Sequence, residues 1–475
     1  MKDVVIVGGG IAGLSTAYNL NDQAGQDIET LLVEKNNRLG GNIFTEKIDG
    51  FVIEGGPDCF LSEKPWALEM CKKLGLEDDL LCTNDEKRKT FVLWKGRLHE
   101  LPEGVILMIP TKMVPLIMSP LLSLHGKLRM GLEMFIPRRR SEEDESLADF
   151  VLRRLGQETL ERIAEPLIAG IHAGSPETLS IRSTFPKFVE LEDKYGSLIR
   201  GMIARMKIAG KTMKGRKGKN RITMFMSLKD GLIELIDTIT STLDIESILL
   251  DKRLIRVEKK GSQSSDTPVY CIHLEDGTVI ETRAIVLSTP AYESARLLKG
   301  LDGSLSEELS NIPYVSTATV SLAYKRSTIS HPLDGFGFVV PRAEKRRIMA
   351  CTWTSVKFSN RAPEDSVLIR CFVGGVHNKE LVSLDDKAMT KMVREELKDI
   401  MGIDAEPVLT RAYKWKDAMP QYIIGHREKV LRIEERLSHN PGLFLNGGAY
   451  NGKGISDCIH SGDLTARKVL EYIRK

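Results

Sequence analysis

The chain opens on a β-branched run, Asp3–Val7, followed by a glycine-rich turn, Gly8–Gly13, a helical stretch, Leu14–Leu20, and a second strand-like run, Thr30–Glu34. Short apolar runs that alternate with a helical spacing and are punctuated by glycine predict one βαβ unit at the N-terminus. From about Pro102 to Arg221 the texture becomes helical and rich in Met and Leu. It closes on Arg205–Arg221, which holds eight Lys or Arg and no acid. Strand-like alternation returns at Val269–Leu274, Ala284–Leu287, Ala318–Tyr324 and Val367–Val373, and Ser461–Ile473 reads as an amphipathic last helix. No window reaches the ~18–20 uninterrupted apolar residues that a membrane-spanning helix needs. The nearest, Gly104–Ser123, contains Lys112 and is broken by Pro110, Pro115 and Pro120, so it reads as an apolar surface lobe. The run Val4–Val7 is too short for the apolar core of a signal peptide, and no internal repeat is visible.

Composition narrows the class. A chain of 475 residues outgrows a single core, so two or three domains are expected. With 42% hydrophobic and 28% charged residues and a formal net charge of +3, the chain reads as a globular protein with no nucleic-acid partner. Its seven cysteines are scattered, without a C-x-x-C pair, which reads as reduced thiols in a cytoplasmic protein and no metal site.

The candidate chemistry starts in the first turn. Gly8, Gly10 and Gly13 fit G-x-G-x-x-G, placed after a strand and at the opening of a helix, with Ile11 and Ala12 inside the motif. The glycines permit a tight turn, close approach of backbone to a pyrophosphate, and close packing of helix on strand. Glu34 ends the second strand 21 residues after Gly13, where a carboxylate can accept hydrogen bonds from ribose hydroxyls. A nicotinamide dehydrogenase would need no more than this. Here the chain continues Glu34-Lys35-Asn36-Asn37-Arg38-Leu39-Gly40-Gly41-Asn42.

That extension resembles the E-x5-G-G pattern of flavoprotein oxidases of the amine oxidase and protoporphyrinogen oxidase superfamily, with Asn42 where the pattern has Arg. The resemblance implies FAD, with Gly40 and Gly41 approaching its diphosphate. Glu54-Gly55-Gly56-Pro57-Asp58 resembles the segment that passes the flavin ring, and Ala284–Pro290, with Thr289, the strand and turn that close the FAD unit. Leu443–Ala449, with Gly447 and Gly448, and Gly452–Ile459, with Gly454, Ile455 and Ser456, resemble the segment that returns to the cofactor. Backbone near Val257 is the implied place of the adenine.

Further strings are similar to the porphyrinogen oxidases within that superfamily. They are Glu165-Pro166 to Gly174 with Leu179-Ser180, Phe225 to Leu232, Leu98 to Pro102, and Trp415 to Tyr422 with Gly425-His426. The resemblance implies three hydride transfers from protoporphyrinogen IX or coproporphyrinogen III to flavin N5, with O2 reduced to H2O2, in heme biosynthesis. Methylene bridges between pyrroles release hydride readily, so neither a strong nucleophile nor a metal is needed, and no Ser-His-Asp or H-x-x-x-H pattern stands out. An amine oxidase or carotenoid desaturase of the same superfamily, or a tetrapyrrole carrier without turnover, remain the alternatives; Trp415, Tyr422 and Tyr450 are the aromatics an amine cage could use.

Gly170 and Ala173 match small positions that line the family's macrocycle cavity, and His172 reads as a base or a structural histidine. Phe91 reads as a face for the tetrapyrrole or as core, and Arg88 and Lys89 as a propionate site or as solvated charge. Lys207–Lys219 reads as a site for anionic lipid or a partner enzyme, or as a solvated loop. The expected architecture is α/β: an FAD-binding Rossmann-like domain (1–60, 222–292 and 436–475), an α+β substrate domain with a mixed sheet (61–100 and 293–435), and a helical lobe (101–221). By resemblance that lobe makes at most peripheral contact with the inner face of a membrane, and hand-over to another heme-pathway enzyme is a further implication.

Overall fold

The computed structural model describes residues 1–106, 108–110, 112–213, 222–260 and 268–475. The basic stretch therefore lies partly outside the described residues, and so does most of the loop Lys207–Lys219.

A seven-stranded sheet forms around Lys2–Val7, which pairs in parallel with Thr30–Val33 on one side and Val279–Leu287 on the other. Val4 to Val7 are buried, as a near-continuous β-branched run must be when helices cover both faces of a sheet. Leu443–Leu445 joins in parallel beside Val279–Leu287, so both ends of the chain share one sheet. One face packs on the helices Ile11–Ala24 and Ile455–Ile473, the other on Ala291–Leu298, Gly303–Ser310 and His426–Ser438. The last helix begins at Ile455, six residues before the start expected at Ser461. The glycines at 452 and 454 end the loop there, and Gly462 sits inside the helix because a Cβ would meet Ser15 at 2.6 Å.

A second seven-stranded sheet runs in the order Leu409–Pro420, Tyr314–Lys325, Ser366–Gly374, Ile348–Trp353, Gly337–Val339, Thr90–Trp94, Arg97–Glu100. All neighbours are antiparallel except Gly337–Val339 with Thr90–Trp94, which makes the sheet mixed. Period-two alternation sends Ala318, Val320, Leu322 and Tyr324 into a core shared with the helix Asp386–Met401. Thr319 and Ser321 face the opposite way, towards the hairpin Thr45–Ile48/Phe51–Glu54 and the segment that follows it.

Helices dominate residues 113–213 and close over a core of Phe150, Leu155 and Ile163, with a fully buried Arg154–Glu133 pair. The expectation of helix from residue 102 needs one correction. Val105–Ile106 and Ile109–Pro110 pair as a short antiparallel ribbon, consistent with a proline that cannot continue a helix. Among the described residues, no helix is long and apolar enough to cross a membrane.

Candidate active site

The glycine turn is built by contact, not only by conformational freedom. A Cβ on Gly13 would lie 2.0 Å from the Gly8 carbonyl oxygen, and one on Gly9 would lie 2.4 Å from the Leu39 side chain. Gly8 holds φ at +106°, with its N–H donated to Val33. Gly10 and Gly40 form a parallel bridge, and Gly41 comes so close that its Cβ would be 3.1 Å from Gly10 Cα. The helix Ile11–Ala24 that follows has no side-chain cap, so its first N–H groups and its dipole face the open side of the turn. Glu34 is buried and accepts from Gly9 N–H at 2.7 Å and Asn36 N–H at 3.0 Å, which stiffens the turn and leaves carboxylate lone pairs for further donors. Lys35 and Asn42 are exposed.

Arg38, which carried no expectation of its own, fixes the double-glycine loop. Its guanidinium donates to the carbonyls of Gly41 at 2.7 Å, Leu39 at 3.1 Å and Ile43 at 3.2 Å, and lies 4.9 Å from the Phe44 ring centroid. Asn446 does the same work at the other end. Buried at 1% exposure, it donates to Thr16 Oγ1 at 2.6 Å and the Ala12 carbonyl, and accepts from Ser288. It thereby holds Gly447 beside the helix start, where a Cβ on it would lie 3.9 Å from that of Ala12, while Thr289 stands beside Gly8.

Gly55 and Gly56 follow the hairpin strand Phe51–Glu54 and lie against the second sheet. A Cβ on Gly56 would lie 1.7 Å from the Asn42 carbonyl oxygen, so only glycine passes there. The Gly55 carbonyl accepts from Trp415 Nε1 at 2.8 Å and Thr319 Oγ1 at 2.9 Å, and Arg370 donates to the Gly55 and Gly56 carbonyls. Behind Pro57, Asp58 meets Lys357 at 2.9 Å. Burial pushes the Asp58 carboxyl up, but Lys357 and Arg370 outweigh it and hold it ionised, well below the ordinary carboxylate range. Burial, reinforced by the Asp58 charge, pushes the Cys59 thiol up to about 12, which removes it as a nucleophile. Arg361 completes this charged layer with hydrogen bonds to Ser227 and the carbonyls of Leu228 and Lys229.

The helix Glu165–His172 ends against this wall. A Cβ on Gly170 would find Val339 at 3.6 Å and Ala350 at 3.9 Å, ordinary contact with the same face of the sheet that carries Arg370. Ala173 caps the helix at φ +50° and its carbonyl accepts from Val376 N–H. His172 is buried, with its carbonyl held by Gln421 and its ring against Phe185. Burial, then Lys453 and Lys64, pull it well below the usual histidine range, so it is neutral. Ser456 donates to the Lys64 carbonyl, and Gly454 N–H turns to Asp457.

Other expected residues fall elsewhere. Phe91 points into the core on the far face of the second sheet, with its ring 5.6 Å from that of Trp353; alternation along Thr90–Trp94 sends Val92, not Phe91, to the near face. Lys89 is exposed and already pairs with Asp334 and Glu100, while Arg88 is exposed near Met224. Val257 is buried opposite Ile272, in the cluster that also holds Val7 and Val33. Among the described residues, no group of His, Cys, Asp and Glu could hold a metal ion.

An uncapped helix start, a cradle that any Cβ would fill, and a carboxylate at the end of the second strand suit a dinucleotide, and a second, wider wall continues from it. The residues from 11 to 470 match the model of flavin-containing amine oxidoreductases, and the chain belongs to that family. It is 35% identical to the coproporphyrinogen III oxidase of Bacillus subtilis (strain 168), over 99% of this chain and 98% of that one. The chloroplastic protoporphyrinogen oxidase of Oryza sativa subsp. japonica is 32% identical, over 100% of this chain and 89% of its own length. The crystal structure of "Putative protoporphyrinogen oxidase from Exiguobacterium sp. 255-15" superposes with a TM-score of 0.86 at 33% identity, covering 99% of both chains. The fold also matches that of cyclohexylamine oxidase from Brevibacterium oxydans, with a TM-score of 0.70 at 14% identity.

Proposed function

We propose that this chain is an FAD-dependent oxidase that converts a porphyrinogen to the porphyrin in heme biosynthesis, with coproporphyrinogen III the preferred substrate. The full-length similarity to the Bacillus subtilis coproporphyrinogen III oxidase carries the reading. FAD, when bound, supplies a two-electron acceptor for hydride. The N–H groups around Gly8–Gly13 and the backbone of Gly40 and Gly41 would hold its diphosphate, Glu34 its ribose, and the segments Gly55–Asp58 and Gly447–Gly454 its ring system. Three dehydrogenations remove six hydrogens from the macrocycle, and three O2 become three H2O2.

The protein's own part is positional. Gly170 keeps the floor over Val339 and Ala350 low, so that a flat ring is not displaced by a side chain. Neutral His172 and protonated Cys59 offer no competing nucleophile or charged base, and the macrocycle needs neither. The helical region presents Val114, Ile117, Met118, Leu124, Leu128, Leu132 and Phe135, all more than half exposed. Leu124, Leu128 and Leu132 recur every four residues, an apolar stripe on a short helical run that supports peripheral attachment at a membrane surface.

The test is to purify the yellow protein and follow porphyrin fluorescence and H2O2 in air from each porphyrinogen. Faster turnover of coproporphyrinogen III is expected, and a protein that oxidises a primary amine but neither porphyrinogen would refute the reading. Flotation with vesicles tests the stripe.

A further inference from the structure

Three segments converge at one corner of the site: the end of the helix Glu165–His172, the end of the strand Leu409–Pro420, and the loop Gly447–Gly454. Tyr422 locks the loop by donating to the Gly448 carbonyl and accepting from Gly452 N–H. Lys453 stands in this corner, half-buried, with Nζ 3.0 Å from the Pro420 carbonyl and 5.1 Å from the Tyr422 ring centroid. An ammonium has three donors, and Pro420 takes one. Among the described residues no carboxylate pairs with Lys453: the next acid along the chain, Asp457 in the first turn of the last helix, is bound at 2.6 Å by Lys64, so the two cancel. Burial alone pulls the Lys453 ammonium down to about 7, the behaviour of a cation that lacks its anion.

The surroundings are polar. His172 Nδ1 and Gln421 Oε1, in residues 8% and 4% exposed, are enclosed without a protein hydrogen-bond partner, and Gln421 Oε1 overhangs Gly174. Unpaired polar atoms at this burial cost free energy unless a ligand or water meets them. The corner lies at the end of the strand that carries Trp415 beneath Gly55, about 16 Å further along at ~3.3 Å per residue, so a flat ligand lying along that strand brings its edge here.

We propose that Lys453 receives a carboxylate of the substrate, which makes it a specificity-determining residue for the number and position of acid side chains on the macrocycle. The inference rests on the porphyrinogen reading above. Its partner is an anion on the periphery of the ring.

The test compares the holoenzyme with Lys453→Met and Lys453→Arg. Binding of coproporphyrin III, a tetracarboxylate, and of its tetramethyl ester is read by fluorescence quenching, together with KM and kcat for coproporphyrinogen III and FAD content. Lys453→Met is expected to weaken the acid about tenfold, as loss of a partly desolvated charge pair does. KM should rise in step with kcat kept, the ester should bind unchanged, and Lys453→Arg should restore the acid. Equal losses for acid and ester, or no loss, overturn the proposal. So does a variant that binds porphyrin normally but loses FAD or its sulfite adduct, which would assign the cation to the flavin. A wild-type protein that holds FAD yet oxidises neither porphyrinogen sinks the functional reading instead, and the porphyrin-binding arm still decides Lys453.

Discussion

The two walls of the site are made of different materials. The nucleotide side is backbone against backbone: Gly13 on Gly8 and Gly56 on Asn42 are too close for a Cβ, and Gly41 on Gly10 leaves one only a tight 3.1 Å. The second-sheet side is held by side-chain charge, with Asp58, Lys357, Arg361 and Arg370 gathered behind Gly55 and Gly56. Contact between main chains tolerates almost no change of residue but is indifferent to charge. A buried ionic layer tolerates changes of shape, yet fails when one partner goes.

Mutations can separate the two. The largest expected effect is Lys357→Met, which leaves Asp58 buried and unpaired; breaking such a pair costs about 3–5 kcal/mol. Denaturant unfolding of the holoprotein measures it, and the double variant with Asp58→Asn should recover a good part of the loss. If the double variant is as unstable as the sum of the singles, charge is not what holds this wall. Next comes Gly13→Ala, expected to weaken FAD binding on the order of 100-fold, or about 2.7 kcal/mol, because the methyl group displaces the Gly8 carbonyl. Retention of FAD on dialysis reads it, and unchanged retention would contradict the backbone account. Arg370→Met should cost about 1–3 kcal/mol, the price of leaving the Gly56 carbonyl buried without a donor.

The smallest effect concerns pH, to which the backbone wall is indifferent. Glu165, whose carboxylate accepts from Arg342 N–H, is pushed by burial from 4.5 up to about 7. The folded protein therefore keeps a proton that the unfolded chain has released, and stability falls as pH rises through that window. Glu165→Gln should flatten the decline. Burial pulls His426 down from 6.5 to about 4, so its contribution is lost in the opposite sense, as pH falls through that range. Melting temperatures of Glu165→Gln and His426→Gln, measured from about pH 4 to 8, separate the slopes.

Much of the nucleotide wall was readable in the chain because it depends on spacing. Gly8, Gly13, Gly40 and Gly56 stand where backbone geometry leaves glycine no substitute, and with Gly10, Glu34, Gly41, Gly55, Gly447 and Gly448 they lie in short strings whose local order survives folding. The last helix was started six residues late because Ile455–His460 directly follow the glycines at 452 and 454, and nothing in that short string marks where the loop ends. Phe91 was open to two readings because its string does not say which face of a strand will be covered.

What the sequence determined by itself was the α/β class, the flavoprotein family and the glycine cradle, since each rests on residues near one another in the chain. Only the tertiary structure decided which charges share a space. Arg370 reaches Gly56 across more than 300 positions, and Lys453 meets Pro420 and the helix end at His172 only once three distant segments have closed. Charge acts through space and burial, and neither is a property of a residue's neighbours in sequence.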